Sequence, residues 1–187
     1  MNHSPVHKLL KSRHGLSTVV TTLIILVISV LLASVVSYFA INVVSTRVQE
    51  ESLALTKQHV WYTADGGTTQ ASLMLINTGG RDVVIQKISV RGQTVTWSNV
   101  FYGTTTASLS SDLTSNSSIA EGPYTIGLVN LTMTNAADSL TLRSGYTMIL
   151  FINSPDSITI NDVGLTVSIT LNTAQAMYYV ESNVQSV

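Results

Sequence analysis

The chain has 187 residues, a formal net charge of −1 and no cysteine. Only 10% of its residues are charged whereas 45% are hydrophobic, which excludes an intrinsically disordered chain. The near-neutral balance gives no indication of a nucleic-acid partner, and the lack of cysteine excludes disulfide bonds, thiolate metal sites and cysteine nucleophiles.

The N-terminus begins with a short basic segment that is followed by a long apolar one. Residues 1–15 contain Lys8, Lys11 and Arg13 and no acidic residue. Residues 16–46 contain no charged residue, no glycine and no proline. A continuous helix of that length would measure ~46 Å, which is more than the ~30 Å hydrocarbon core of a bilayer. The sequence therefore predicts one continuous helix that spans a membrane.

The charges on the two sides of the apolar segment differ. The basic residues before it have no acidic neighbour, whereas Arg47 and Lys57 after it are balanced by Glu50 and Glu51. Positively charged flanks of a spanning helix stay on the cytoplasmic side of a membrane. We therefore expect the N-terminus to be cytoplasmic and everything after residue 46 to be exported.

The apolar segment does not fit an ordinary cleaved secretory signal. Such a signal has an apolar region of ~7 to 15 residues, and the segment here is about twice as long. A cut between Gly15 and Leu16 would instead leave the whole helix on the mature protein. It would also remove three of the nine basic residues and none of the ten acidic ones, which gives the mature chain a net charge of −4.

The junction combines a basic leader ending in Lys11–Gly15, the start Leu16–Val20 and a long apolar helix with scattered hydroxyl groups. This combination resembles the archaeal type IV pilin-like proteins, a superfamily that includes adhesive pilins and archaellins. The resemblance implies a class III signal peptide that a prepilin peptidase cuts on the cytoplasmic side. It also implies that an assembly ATPase and a membrane platform protein pack the mature helices into a filament core. Mature position five is Val20, where bacterial type IV pilins carry Glu.

One face of the predicted helix carries small side chains. At 100° per residue, five of them fall within roughly 60° of one another: Thr18, Thr22, Ser29, Ala33 and Ala40. Small residues let two helices approach closely where both the lipid and the partner are apolar. We expect this stripe to contact a neighbouring helix, although Ser and Thr are also tolerated in a lone membrane anchor.

After the helix, which we expect to continue to residue 57, the pattern changes to short strands. Turn signals recur every ~8 to 12 residues, which favours an antiparallel β-sandwich. The clearest strand alternates apolar and hydroxyl residues over Leu165–Leu171. Other strands are predicted at residues 60–62, 72–76, 82–90, 94–102, 124–132, 140–143, 146–153 and 157–161.

The predicted fold class is α+β, with a long N-terminal hydrophobic helix followed by an antiparallel immunoglobulin-like β-sandwich. We divide the chain into a cleaved leader over residues 1–15, a transmembrane and filament-core helix over 16–57, and an exported head domain over 58–187. Residues 77–84, Asn-Thr-Gly-Gly-Arg-Asp-Val-Val, also resemble the start of the immunoglobulin-like domain often carried by archaeal pilins and archaellins.

A tract rich in Ser and Thr occupies residues 103–118. Its composition predicts a solvated loop, or a glycosylated loop on the outer surface. Two sequons lie in the exported region, at Asn116 and Asn130. They predict N-linked glycans at these two residues.

The exported part offers few groups for catalysis. His59 is its only histidine, and neither a His-x-x-x-His pattern nor paired carboxylates surround it. Asp156 and Asp162 flank a predicted strand and could bind Ca²⁺, but carboxylates in turns are usually turn residues. The glycine pairs lack the Lys and the helix of a phosphate-binding loop. We therefore predict no catalytic residue, no cofactor, no metal site and no enzymatic activity.

These patterns predict the structural subunit of an archaeal type IV pilus-like surface filament, which serves adhesion or surface attachment. The precursor is held in the membrane, and the mature subunit polymerises with copies of itself through its N-terminal helix. The expected partners are other copies of the chain, the membrane, the prepilin peptidase, the assembly ATPase and the platform protein. Two alternatives remain open: an archaellin, which is the subunit of a motility filament, and a lone membrane-anchored β-sandwich binding module.

Overall fold

The computed structural model describes residues 6–48, 50–116 and 119–187, and the side chains of residues 6–15, 47 and 48 lie outside this description. The chain divides into two compact units, with the division between Arg47 and Val48. The first unit contains a single helix and the second is built of β-strands.

The helix, α1, runs from Val6 to Val48 and includes the whole uncharged segment. The predicted continuous helix over residues 16–46 is therefore confirmed. The predicted end at residue 57 is wrong, because residues 53–57 belong to the first strand. Leu53 and Leu55 pack into the core of the β unit in extended conformation, so that tertiary packing overrides the local continuation of the helix.

The β unit contains eleven strands that form one continuous sheet. In chain order they are β1 (Leu53–Thr63), β2 (Thr68–Asn77), β3 (Val83–Val90), β4 (Gln93–Thr94), β5 (Val100–Thr105), β6 (Gly122–Ile126), β7 (Val129–Asn135), β8 (Leu140–Leu142), β9 (Thr147–Asn153), β10 (Thr166–Thr173) and β11 (Met177–Ser186). Their order in the sheet is β4-β3-β10-β11-β1-β2-β9-β5-β7-β6, and β8 also pairs with β3.

The sheet closes over a central core and forms a β-sandwich. Strand β1 pairs antiparallel with β2, and its last part, Val60–Tyr62, pairs in parallel with Val184–Ser186 of β11. The central core takes apolar side chains from strands on both sides of this junction: Leu73, Leu75, Ile85, Leu150, Ile169 and Leu171. The predicted class, α+β with a long apolar helix followed by an antiparallel β-sandwich, is confirmed, with the parallel pairing of β1 and β11 as an exception. The immunoglobulin-like form of the sandwich stays a prediction.

A second core lies on the outer face of β2 and β9. All residues from Met148 to Ile152 are buried, as are Leu73 to Leu75. Because successive side chains of a strand point to opposite faces, both faces of these strands are covered. The cover consists of β6, β7 and the described part of the connection between β5 and β6, residues 106–116 and 119–121, which we call the strap. Leu113 and Ile119 of the strap are buried in this second core.

A β-bulge reverses the direction of the side chains within β1. Between Thr56 and His59 the strand has one residue more than the paired part of β2. Lys57, within the bulge, has a φ of 52°. As a consequence Leu55 faces the central core, whereas Trp61, also odd-numbered, faces the strap.

Several predicted strands differ from the observed ones. No strand forms over residues 157–161, because Ile160–Asp162 form a 3₁₀ turn that Thr159 and Asp162 fix by capping each other. The predicted strand over residues 94–102 is interrupted by the 3₁₀ turn Trp97–Asn99.

Two further differences come from turn chemistry and from missing alternation. The predicted strand over residues 124–132 is a hairpin, with Gly127 at a φ of 58° between β6 and β7. Strand β11 was not predicted, because Met177–Val180 show no alternation of apolar and polar residues.

Candidate functional site

The apolar helix has the largest exposed hydrophobic surface in the described chain. Every residue from Leu16 to Thr46 is exposed, and none of these 31 residues is covered by the rest of the described chain. By length and composition this segment is able to cross a membrane. A surface of this extent in water would cause aggregation, so it requires lipid or other protein surfaces as its environment.

Five of the hydroxyl groups on this helix are bonded to its own backbone. The hydroxyl of Thr22 donates to the carbonyl of Val19 at 2.9 Å, and the hydroxyl of Ser29 donates to that of Ile25 at 2.7 Å. The hydroxyls of three further residues do the same one turn back: Thr21, Ser34 and Thr46. Because their hydrogen bonds are made internally, these side chains fit an apolar environment.

The small-residue stripe lies on this exposed surface. All five of its members are exposed: Thr18, Thr22, Ser29, Ala33 and Ala40. Nothing else in the described chain packs on them, so the stripe remains a predicted contact face.

The predicted processing site lies within the continuous helix. The backbone passes through Gly15 and Leu16 in helical conformation. The leader charges Lys8, Lys11 and Arg13 also belong to helical residues, but their side chains lie outside the described part of the structure. Cleavage at Gly15 therefore stays a prediction.

The start of the β unit is fastened by the turn that follows β2. The amides of Thr78 and Gly79 both donate to the carbonyl of Ser52, at 3.0 and 3.1 Å. A Cβ atom on Gly79 would lie 2.7 Å from the carbonyl oxygen of Glu50 and from the nitrogen of Ser52. Asn77 is buried and bonds this turn to residues 81 and 142. The turn over residues 77–79 thus holds the first residues of the β unit.

Glu51, close to the start of β1, contacts Thr173 and Tyr178. The hydroxyl of Thr173 donates to the carboxylate of Glu51. Burial raises the pKa of Tyr178, and the negative charge of Glu51 beside it acts in the same direction. Glu51 is therefore held on two sides at the point where β1 begins.

The strap is held on the sheet by polar side chains as well as by its apolar ones. The ammonium group of Lys57 donates to the carbonyl of Leu109 at 2.9 Å and to that of Ser111. The side-chain amide of Asn153 donates to the carbonyl of Ile119 at 3.2 Å. These contacts correct the prediction of a merely solvated loop for residues 103–118, because part of this tract packs against the sheet.

His59 also contacts the strap. Its Nε2 lies 3.0 Å from Oδ1 of Asp112, and its ring stacks on that of Trp61 with 5.1 Å between centroids. The hydrogen bond to His59 lowers the pKa of Asp112 below its ordinary value. Since the side chain of Asp112 is 64% exposed, the pair is screened by solvent. Its geometry serves to position the strap.

The two sequons lie in different settings. At Asn116 both backbone polar groups are bonded to Gln70, while residues 117 and 118 lie outside the described residues. Asn130 is exposed on β7, where its side-chain oxygen accepts a hydrogen bond from Thr125 at 2.7 Å. Glycosylation at either site stays a prediction.

The carboxylates considered for Ca²⁺ do not form a common site. One oxygen of Asp162 binds the guanidinium of Arg91 at 2.6 Å, and the other accepts bonds from the amide and hydroxyl of Thr159, both at 2.8 Å. Both oxygens are therefore occupied by protein donors. In the part of the chain that the structure describes, no group of three or more His, Asp or Glu is arranged to hold a metal.

No model of a known protein family matches the sequence, and no curated protein matches it. Among solved structures, the chain is similar to a family 123 glycoside hydrolase from Clostridium perfringens, described in a study of glycolipid glycan hydrolysis. The alignment covers 73% of this chain and 27% of the hydrolase chain, with a TM-score of 0.35 and 11% identity. The chain thus spans little more than a quarter of that protein, and a likeness this weak carries no argument about function.

Sequence reasoning missed the residues that hold the strap, namely Lys57, Gln70 and Asn153. A signal was present in the uninterrupted apolar run Met148–Ile152, which requires cover on both faces of its strand. It did not indicate which segment supplies the cover, because the strap is distant in sequence and mostly polar.

Proposed function

We propose that this chain is the structural subunit of an archaeal type IV pilus-like surface filament. The observation that carries the proposal is the uncharged helix Leu16–Thr46, which is exposed over its whole length in a chain whose β unit has a complete core of its own. The β unit does not need the helix for burial of its core. The helix is therefore available for lipid first and for other copies of itself later.

Assembly follows from the chemistry of the helix surface. In the membrane, the apolar side chains face lipid and their hydroxyl neighbours are bonded internally. In a filament, the same surface is buried against other helices, and the small-residue stripe lets two backbones approach closely. The polar β unit stays in water and forms the outside of the polymer, where it serves adhesion or surface attachment.

The proposal includes a defined route to the surface. The N-terminus starts in the cytoplasm, and a prepilin peptidase cuts between Gly15 and Leu16. An assembly ATPase and a platform protein then transfer the helix from the membrane into the filament. Support comes from the basic leader before the helix and from the resemblance of the junction to class III signal peptides.

Processing is the most direct test of this proposal. N-terminal sequencing of the protein from sheared surface filaments should begin at Leu16. Gly15→Arg should leave the uncut precursor in the membrane, whereas Ser4→Arg adds the same charge to the leader away from the junction and should be processed normally. Normal filaments from Gly15→Arg would contradict the proposal.

The same experiment separates the alternatives. A mature protein that begins at Met1 and stays unassembled in the membrane would indicate a lone anchored binding module. Filaments that rotate, rather than attach, would indicate an archaellin.

A further inference from the structure

Asn42 carries the only side-chain amide of the uncharged segment over residues 16–46. Its side chain is exposed and makes no hydrogen bond within the described chain, whereas its backbone carbonyl accepts one from the hydroxyl of Thr46 at 2.9 Å. An amide both donates and accepts hydrogen bonds, and it costs free energy when it lies unpaired in an apolar contact. Any helix that packs on this face must therefore offer Asn42 a polar partner.

Two further polar side chains lie on the same face, one turn on either side of Asn42. At 100° per residue, Tyr38, Asn42 and Ser45 fall within roughly 60° of one another. Tyr38 is 72% exposed, and neither its hydroxyl nor that of Ser45 bonds within the described chain. Ala33 of the small-residue stripe lies about 180° around the helix from Asn42. The helix thus has a face with unpaired polar groups on the side opposite the stripe.

The three polar residues fit a heptad pattern that continues along the helix. With Asn42 at position a, the earlier a positions are β-branched, and the d positions are aliphatic before Tyr38. β-branched residues at a are typical of parallel two-stranded coiled coils, and a single Asn at a fixes their register and oligomeric state. Helices in membranes mostly cross at similar angles. The a positions are Thr21, Ile28, Val35 and Asn42, and the d positions are Ile24, Leu31, Tyr38 and Ser45.

The outer end of the helix has apolar side chains that lipid does not cover. The helix measures ~46 Å against a hydrocarbon core of ~30 Å, so roughly its last ten residues extend beyond the core when Leu16 lies at the cytoplasmic surface. These residues include Phe39, Ile41 and Val44, which are exposed beside Asn42. In the headgroup region, burial against another helix removes them from water. An equivalent helix of the same orientation offers the same side chains at the same depth.

We propose that two copies of the chain pair in the membrane as parallel helices, with the side-chain amides of their Asn42 residues hydrogen-bonded to each other. Each amide donates to the carbonyl oxygen of the other, so that neither is left unpaired. Ser34 lies at position g, beside this contact rather than in it. The pair leaves the small-residue stripe free on the opposite face, where a further copy is able to pack. This inference rests on the membrane placement in the proposed function and adds its first step of assembly.

Disulfide cross-linking tests the pair, because the chain has no cysteine. Ser45→Cys places one thiol at a d position, where two parallel helices come close enough for a disulfide bond. Ser37→Cys is the matched control, because Ser37 is also exposed but lies at position c, outside the contact. The full chain is oxidised in membranes of a host that has no filament assembly machinery. Ser45→Cys should give about fivefold more covalent dimer than Ser37→Cys, as expected for hydrogen bonds between membrane helices.

Substitution of Asn42 in both cysteine variants shows whether the amide selects the face. With Asn42→Leu the helix is apolar all round and has no preferred face, so the two cysteines should cross-link to similar extents. Asn42→Gln keeps an amide at position a and should keep the preference for Ser45→Cys.

The proposal is overturned if neither cysteine cross-links, or if Ser37→Cys cross-links as well as Ser45→Cys while Asn42 is present. It is also overturned if Asn42→Leu leaves the preference unchanged. A chain that is absent from the membrane fraction would contradict the membrane placement, and with it both proposals. Filament formation is measured separately, as subunits in the sheared fraction, so failure of the pair alone leaves the filament proposal standing.

Discussion

Gln70 holds the backbone of Asn116 with both ends of its side-chain amide. Its Nε2 donates to the carbonyl of Asn116 at 2.6 Å, and the amide of Asn116 donates to its Oε1 at 2.8 Å. The same Nε2 donates to the side chain of Asn153 at 2.9 Å. Gln70 is buried. Its side-chain amide pairs with the backbone of the strap much as a neighbouring strand would.

Gln70→Leu should loosen the strap. The substitution keeps the side chain large but removes both bonds from Gln70 to the backbone of Asn116, whose carbonyl keeps its bond from the amide of Ile119 at 3.0 Å. Loss of hydrogen bonds to a partly buried segment costs about 1–3 kcal/mol. We expect faster hydrogen exchange at the amide of Asn116 and a lower free energy of unfolding. Gln86→Leu, at an exposed position on β3, is the control and should change neither. Equal exchange rates in the two variants would show that Gln70 does not hold the strap.

The Arg91–Asp162 pair should make the stability of the β unit depend on pH. The hydroxyl of Thr159 contributes most to lowering the pKa of Asp162 below its ordinary value of 3.8, followed by the amide of Thr159, and the positive charge of Arg91 adds to this. A carboxylate with a lowered pKa stabilises the folded state above its unfolded pKa. This contribution is lost as the pH falls from 3.8 through the folded-state value.

Asp162→Asn should therefore lower the melting temperature at neutral pH. The difference from the unchanged chain should shrink when thermal unfolding is measured at pH values below 3.8. Asp138→Asn is a control, because that exposed carboxylate has no partner in the described chain. If the difference in melting temperature for Asp162→Asn stays constant at all pH values, the negative charge of Asp162 does not account for the lost stability.

Structure that depends on local sequence was predicted correctly, whereas structure that depends on pairing with distant residues was not. The helix over residues 16–46 was predictable because its length, lack of charge and lack of Gly and Pro are local properties. The first part of β1 was not, since residues 53–57 become a strand only through pairing with β2 and burial of Leu53. The bulge at Lys57 hides the alternation that would have indicated this strand.

The same distinction applies to the strap and to the turn after β2. Asn77 and the glycines after it were recognisable as a turn from their chemistry, but not as the fastening for residues 50–52. That role depends on residues far apart in sequence that the fold brings together. For the same reason, the polar composition of the strap indicated a solvated loop while Leu113 and Ile119 made it part of a second core.

Gly79→Ala should destabilise the start of the β unit. The new methyl group would lie 2.7 Å from backbone atoms of Glu50 and Ser52, which are unable to move aside as a flexible side chain would. Overpacking of this kind costs about 1–3 kcal/mol in the free energy of unfolding. Gly164→Ala is a comparison, because its Cβ meets open space and only its φ of 86° is unfavourable.

Thermal unfolding of the two glycine variants measures this difference. Gly164→Ala should lose about 1 kcal/mol, through backbone strain alone. A larger loss for Gly164→Ala than for Gly79→Ala would contradict the close contact at the start of β1.

Ser29→Leu should block assembly without blocking insertion into the membrane. Ser29 belongs to the small-residue stripe, and a leucine there would keep the backbones of two neighbouring helices apart. Ser34→Leu is a matched control, because Ser34 is also exposed, its hydroxyl is also bonded one turn back, and it lies about 140° around the helix from Ser29. Both variants lose one internal hydrogen bond and gain the same apolar side chain. We expect both proteins in the membrane fraction, but sheared filaments only from Ser34→Leu, measured as the amount of subunit in the high-speed pellet. Equal filament yields from the two variants would show that the stripe is not the face through which the helices pack.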